Sequence, residues 1–151
     1  MSLFSIFKIS SQGMTAQRER LEAASANLAN ANTTRTVDGG PYRRRDVIFS
    51  TQEINNRWSE NALQSGLFGS DTDNSQGVKS EVVISDANQF QMQYQPGHPD
   101  ADENGYVRMP DVDPLEETVN MISAARSFEA NATVFNTAKD LAKISLNLGD
   151  A

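Results

Sequence analysis

Residues 100–111 read DADENGYVRMPD and place oxygen-bearing side chains at alternate positions, Asp100, Asp102 and Asn104, followed by Gly105. Those residues match positions 1, 3, 5 and 6 of a calcium-binding loop, and Val107 suits position 8. Position 12 is Asp111, shorter than the usual bidentate glutamate. The preceding Gln95-Pro96-Gly97-His98-Pro99 cannot form the entering helix. An acidic β-turn is the simpler reading. Asp100 and Asp102 could also serve as the carboxylate pair of a glycoside hydrolase, but that chemistry depends on a separation that sequence does not set. His98 is the single histidine and cysteine is absent. A nucleophile–histidine pair would therefore need a serine, and no G-x-S-x-G elbow, P-loop or H-E-x-x-H stretch is present. We predict no catalytic, cofactor-binding or metal-binding residues, and His98 is read as a turn residue.

A second group of side chains poses a different question. Residues 24–34, ASANLANANTT, carry Asn27, Asn30 and Asn32 at the end of a helical pattern. Asparagine competes for backbone hydrogen bonds and is poor inside helices. These amides are predicted to satisfy the helix exit or a neighbouring subunit. The glycosylation-like triplets Asn32-Thr33-Thr34 and Asn131-Ala132-Thr133 are read as chance matches. Arg43-Arg44-Arg45 is read as a strand edge or a contact to an acidic neighbour. Residues 60–118 hold 12 acidic and 2 basic groups, and the whole chain carries −7. Such a balance repels phosphate backbones and disfavours nucleic-acid binding.

The elements that must position these residues follow from periodicity. Phe7, Met14, Leu21 and Leu28 fall one heptad apart, with Ala24 and Ala31 three residues after the last two. This is an a/d seam, in which Ser10 and Gln17 weaken the early d positions. Asp113-Pro114 opens a second helix as N-cap and N1, with Glu116 at N3 in a capping-box pattern. Met121, Ala125, Phe128, Ala132, Phe135 and Ala142 form one stripe, and Leu141, Ile144 and Leu148 a second. Gly149 stands at the C-cap. Between the helices, strands are predicted at Arg45–Ser50, Val82–Ile84, Phe90–Tyr94 and Tyr106–Met109, with turns at Gly39-Gly40-Pro41 and Asn104-Gly105.

Residues 54–77 read as a long polar loop holding Trp58, Leu63, Leu67 and Phe68. The predicted class is α+β: long N- and C-terminal helices pairing in a coiled-coil-like core around a small β-rich, loop-rich middle. The segments divide at 1–34, 35–112 and 113–151. At 38% hydrophobic residues, a large self-contained core is not expected. No apolar run approaches the roughly 20 residues of a membrane span. The apolar start (Leu3, Phe4, Ile6, Phe7, Ile9) lacks the basic region and cleavage site of a Sec signal. It could lie on a membrane surface, extend the seam or serve as a secretion signal.

The stretch SQGMTAQRERLEAASANLANANTTRT closely resembles the N-terminal signature of bacterial flagellar rod and hook proteins. GGPYRRRDVIF (39–49), QPGHPDADENGYVRMPDVD (95–113) and VNMISAARSFEANATVFNTAKDL (119–141) resemble the proximal rod branch of that axial family. The resemblance spans nearly the whole chain and departs from the family only at 54–77. It implies a structural subunit, not an enzyme. Such a subunit is exported unfolded through the flagellar type III apparatus without signal cleavage and sits in the rod crossing the periplasm. There it polymerises through terminal helices into a torque-transmitting shaft. The implied partners are other copies, the rod proteins FlgB, FlgF and FlgG, FliE and the MS ring, with no stable membrane insertion. Another axial subunit, FlgB-like or distal, is the neighbouring alternative. A calcium-regulated module and a carboxylate cell-wall hydrolase are the readings from other classes. The subunit seam is placed at Leu21, Leu28, Met121, Phe128 and Phe135, with Asn27, Asn30 and Asn32 beside it.

Overall fold

The computed structural model describes residues 3–37, 39–53, 76–85 and 90–149. Helix α1 spans Leu3–Ala29, and strands β1 (Arg45–Glu53), β2 (Gln76–Ile84), β3 (Phe90–Tyr94) and β4 (Tyr106–Pro110) follow. Helix α2 ends the order at Pro114–Gly149. The fold is α+β. β1 pairs with β2 and β3 with β4. All four predicted strands fall inside observed ones. β1 and β2 run further than predicted, because Thr51 to Glu53 and the largely polar Gln76 to Glu81 add ladder without a regular apolar alternation. Gln76 and Gly77, read as the end of the polar loop, open β2. The rest of that loop, with Trp58, Leu63, Leu67 and Phe68, lies outside the described residues.

Local chemistry explains the helix ends. In α2, Asp113 Oδ1 accepts the Leu115 N–H at 2.8 Å and Asp113 O accepts the Glu117 N–H at 3.0 Å. Pro114 supplies a fixed φ where no donor is needed. The capping-box expectation for Glu116 is corrected: its carboxylate binds Arg44 at 3.0 Å. That cation offers a charged partner, and a charge-assisted bond outcompetes a neutral N–H. α1 tightens as it ends. Asn30 N–H is shared between Ala26 O and Asn27 O, and Ala31 and Thr33 donate three residues back.

β3 and β4 form an antiparallel hairpin with Tyr94 opposite Tyr106 and Phe90 opposite Pro110. The rings of Tyr94 and Tyr106 meet edge to face at 5.3 Å, and Arg108 lies 5.0 Å from the Phe90 ring. The turn needs Gly105, whose φ is +82°.

The chain divides into two compact units, each assembled from separated segments. One comprises Met1–Ala16, Phe49–Lys79 and Phe128–Ala151. Within it Phe7 packs edge to face on Phe135 at 5.0 Å, and Gln12 Oε1 accepts the Val78 N–H at 3.2 Å. Gly13 lies so close to Asn131 that a Cβ there would stand 3.0 Å from Asn131 Nδ2. The other unit comprises Gln17–Ile48 and Ser80–Ser127. Its small apolar cluster is Ala31, Tyr42 and Val112, and Val107, Ala23, Ala24 and Ala124 are also buried.

Apart from Asn27 and Glu117, the buried positions of both helices, among the described residues, are small residues. Ser5, Ser10, Ala16, Ala23 and Ala24 are covered on α1, and Ala124 and Ala138 on α2. The large residues of the heptad pattern are less covered: Phe7, Met14 and Leu21 are half-buried, and Leu28 is 37% exposed. Small side chains let backbones approach closely, and a close approach leaves no room between them for Leu or Phe.

Candidate functional site

The most constrained polar group is Asn27, 1% exposed, near the end of α1. Every hydrogen-bonding position of its amide is used. Nδ2 donates to Arg45 O at 2.9 Å and to Glu117 Oε2 at 3.2 Å. Oδ1 accepts from the Arg45 N–H at 2.9 Å and the Tyr42 hydroxyl at 3.0 Å. One side chain therefore holds both backbone groups of the first β1 residue, the Tyr42 phenol and the first turn of α2.

Glu117 is 2% exposed. Its Oε1 lies 3.2 Å from Arg44 Nη2, a charge contact without hydrogen-bond geometry. The same guanidinium meets Glu116 at 3.0 Å and Asp46 at 3.1 Å. The hydrogen bond that Arg44 donates to Glu116, reinforced by the neighbouring carboxylates, holds the Arg44 charge more firmly than usual, against the opposing effect of burial. Burial pushes the Tyr42 phenol above its ordinary value, with Arg45 opposing and Glu117 adding to the shift. Arg43 binds Ser85 O through two nitrogens. The triple arginine is thus a set of internal ties, with Arg45 contributing its backbone. A single substitution in this network leaves a buried partner unsatisfied, which costs more than the bond contributes.

Asn30 caps the helix exit: Nδ2 donates to Ala26 O at 2.8 Å, and Oδ1 accepts the Thr33 hydroxyl at 3.2 Å. Asn32 is exposed and has no side-chain partner among the described residues. Leu21, Met121 and Phe135 are half-buried, while Leu28 and Phe128 are 37% and 39% exposed. Leu21, Leu28 and Met121 belong to one unit, and Phe128 and Phe135 to the other. Phe135 has Phe7, and much of Leu28 and Phe128 remains uncovered.

The residues with apparent chemistry are engaged in turns. Asp102 Oδ1 accepts the backbone N–H groups of Asn104 at 2.9 Å and Tyr106 at 2.8 Å. Asp100 Oδ2 accepts the Thr34 hydroxyl at 2.7 Å, and His98 Nδ1 accepts the Asp100 N–H at 3.1 Å. A cleft of about 490 Å³ runs past Thr34, Arg35, Pro41, Met92, Asp100 and Arg108. Among the described residues no three His, Asp or Glu side chains converge to hold a metal, and no helix is long and apolar enough to cross a membrane.

Sequence reasoning did not find the roles of Glu117, Tyr42 and Arg44. One signal was available: Glu117, Ala124, Asn131 and Ala138 recur every seven residues on α2. The first, second and fourth are buried, and the third faces Gly13. A glutamate in register with alanines marks a paired, covered charge.

Residues 7–35 match the family described as flagella basal body rod protein. Residues 103–148 match the C-terminal family of the flagellar basal body rod proteins FlgEFG. The chain is similar over 97% of its length to the flagellar basal-body rod protein FlgC of Borreliella burgdorferi, at 41% identity and 97% coverage of that protein. It is 40% identical to the proteins of that name from Escherichia coli O6:H1 and Bacillus subtilis, over 99% of both chains in each case.

Proposed function

The chain belongs to the FlgC family of flagellar basal-body rod proteins, and from that premise we propose how this structural subunit of the rod works. It takes its place in the proximal rod, and its terminal helices pack with those of neighbours into a helical drive shaft. The shaft carries torque from the motor to the hook and filament. The three segments have separate parts in this: 1–34 and 113–151 build the inner wall, and 35–112 lies outside it. Neighbouring copies, FlgB, FlgF, FlgG, FliE and the MS ring are its partners. The chain reaches the rod across the periplasm through the flagellar type III export apparatus, with no cleaved signal. It works as a mechanical part and not as an enzyme, and the engagement of Asp102 and His98 in turn hydrogen bonds and of Asp100 by the Thr34 hydroxyl supports that reading.

One observation carries the proposal: α2 is apolar on two faces. Its inward stripe is the alanine register described above. At about 100° per residue, Leu115, Val119 and Ile122 fall on the opposite side, Ile144 lies to the side, Val134 and Leu141 flank the stripe, and all are exposed. Soluble monomers rarely display an apolar surface of that extent. Contacts that repeat without closing generate a filament, and packed side chains transmit force because interiors deform little.

The test is Leu28→Asp and Phe128→Asp, each of which places an unpaired charge where a neighbour must bury an apolar group. Export of the monomer should persist, while incorporation into basal bodies and swimming should be lost. Normal swimming by either strain refutes the arrangement.

A further inference from the structure

The Asn104-Gly105 pair carries a covalent chemistry that assembly does not use. The main-chain nitrogen of a glycine can attack the side-chain carbonyl carbon of a preceding asparagine. A C–N bond forms to close a succinimide, the bond to the amide nitrogen breaks, and ammonia leaves with the proton from the glycine nitrogen. Water then opens the ring at either carbonyl, leaving aspartate or isoaspartate. Glycine favours the attack because it has no Cβ to obstruct the approach and its backbone turns freely. The reaction needs a free Gly105 nitrogen and a main chain able to swing that nitrogen onto the Asn104 side chain.

The β3–β4 hairpin withholds both. The Gly105 N–H donates to Asp102 O at 3.0 Å, and the Asp102 N–H donates to Tyr106 O at 2.8 Å. Asp102 Oδ1 also holds the N–H groups of Asn104 and Tyr106. The backbone is thus tied on both sides of the reacting bond. Gly105 is buried, and even a Cβ there would stand 2.9 Å from Tyr94 Cε2 and 3.1 Å from Pro96 Cβ. Asn104 itself is exposed, so water and base can reach it. The nucleophile is what the fold keeps away.

We propose that Asn104 is a deamidation site, open in the unfolded chain and shut by the hairpin. The two products differ in consequence. Aspartate preserves the main chain, whereas isoaspartate inserts a methylene into a turn whose register sets Tyr94 opposite Tyr106. A chain converted to isoaspartate before folding cannot close this hairpin.

The test incubates the full-length protein at mildly alkaline pH in native buffer and in urea. Conversion is followed by mass on the tryptic peptide 80–108, with fragmentation assigning the site. Conversion at Asn104 should be at least about tenfold slower in native buffer, since it must await local opening. Asp102→Ala removes the shared acceptor but keeps Asn104-Gly105. It should accelerate conversion in native buffer and leave the rate in urea unchanged. Equal rates in native buffer and urea overturn the proposal, as does an Asp102→Ala protein that converts no faster than wild type in native buffer.

Discussion

At the residue scale, Asn27 is the side chain on which the largest number of separate groups depends. Replacing it with leucine keeps the volume but strands Arg45 N–H and C=O, the Tyr42 hydroxyl and one oxygen of Glu117. With about 1–3 kcal/mol for each buried group left unmatched, partly relieved by relaxation, Asn27→Leu should destabilise the protein by about 3 kcal/mol. A drop in the urea midpoint at constant slope would measure it, and a loss below about 1 kcal/mol would mean that water replaces the amide. Tyr42 adds a pH dependence. Burial raises its folded value above the ordinary 10.0, so the fold favours the protonated phenol. Its contribution is therefore complete below pH 10.0 and lost as pH rises through the folded value. Urea midpoints measured across that range should fall more steeply for wild type than for Tyr42→Phe; parallel curves would show that the phenol stays protonated or is not buried. The amide cluster was visible in the sequence because asparagine is conspicuous among alanines. Its partners were not, since Glu117 is 90 positions from Asn27 and no local pattern links them.

At the scale of elements, periodicity and punctuation revealed the helices and strands. Asp113-Pro114 marked the start of α2 within a residue, and apolar alternation located β3 and β4. The expected d positions Ser10, Ala24 and Ala31 are covered, but on α2 the covered register of Glu117, Ala124 and Ala138 was not legible. The sequence pattern drew attention to Phe and Leu, whereas the fold covers Ala, Ser and Asn and leaves the larger groups half exposed. The decisive datum is spacing between helices, and Gly13 reports it. In a helix interior glycine costs about 1 kcal/mol relative to alanine, so a glycine here needs a reason, and the nearness of Asn131 supplies it. Gly13→Ala should change stability by less than about 1 kcal/mol, because the propensity gain offsets a small shift of the Asn131 amide. Gly13→Leu should cost about 2–3 kcal/mol by overpacking. Thermal unfolding of both variants checks the pair, and equal melting temperatures would contradict the close approach.

At the scale of the whole molecule, both units draw on both ends of the chain, with residues from α1 and from α2 in each. Length, a low hydrophobic share and long terminal helices were enough to suggest that little would be buried inside one chain. That the C-terminal helix is apolar on two sides required its position to be known. The interleaving also bears on the order of events. In chain order Asn27 and Tyr42 come long before Glu117, and Gly13 long before Asn131. Neither unit is complete without residues of α2, up to Ser127 in one and from Phe128 onward in the other. Early segments are thus kept from premature closure by the absence of their partners, and arrival of the C-terminal helix acts as the signal that folding can finish.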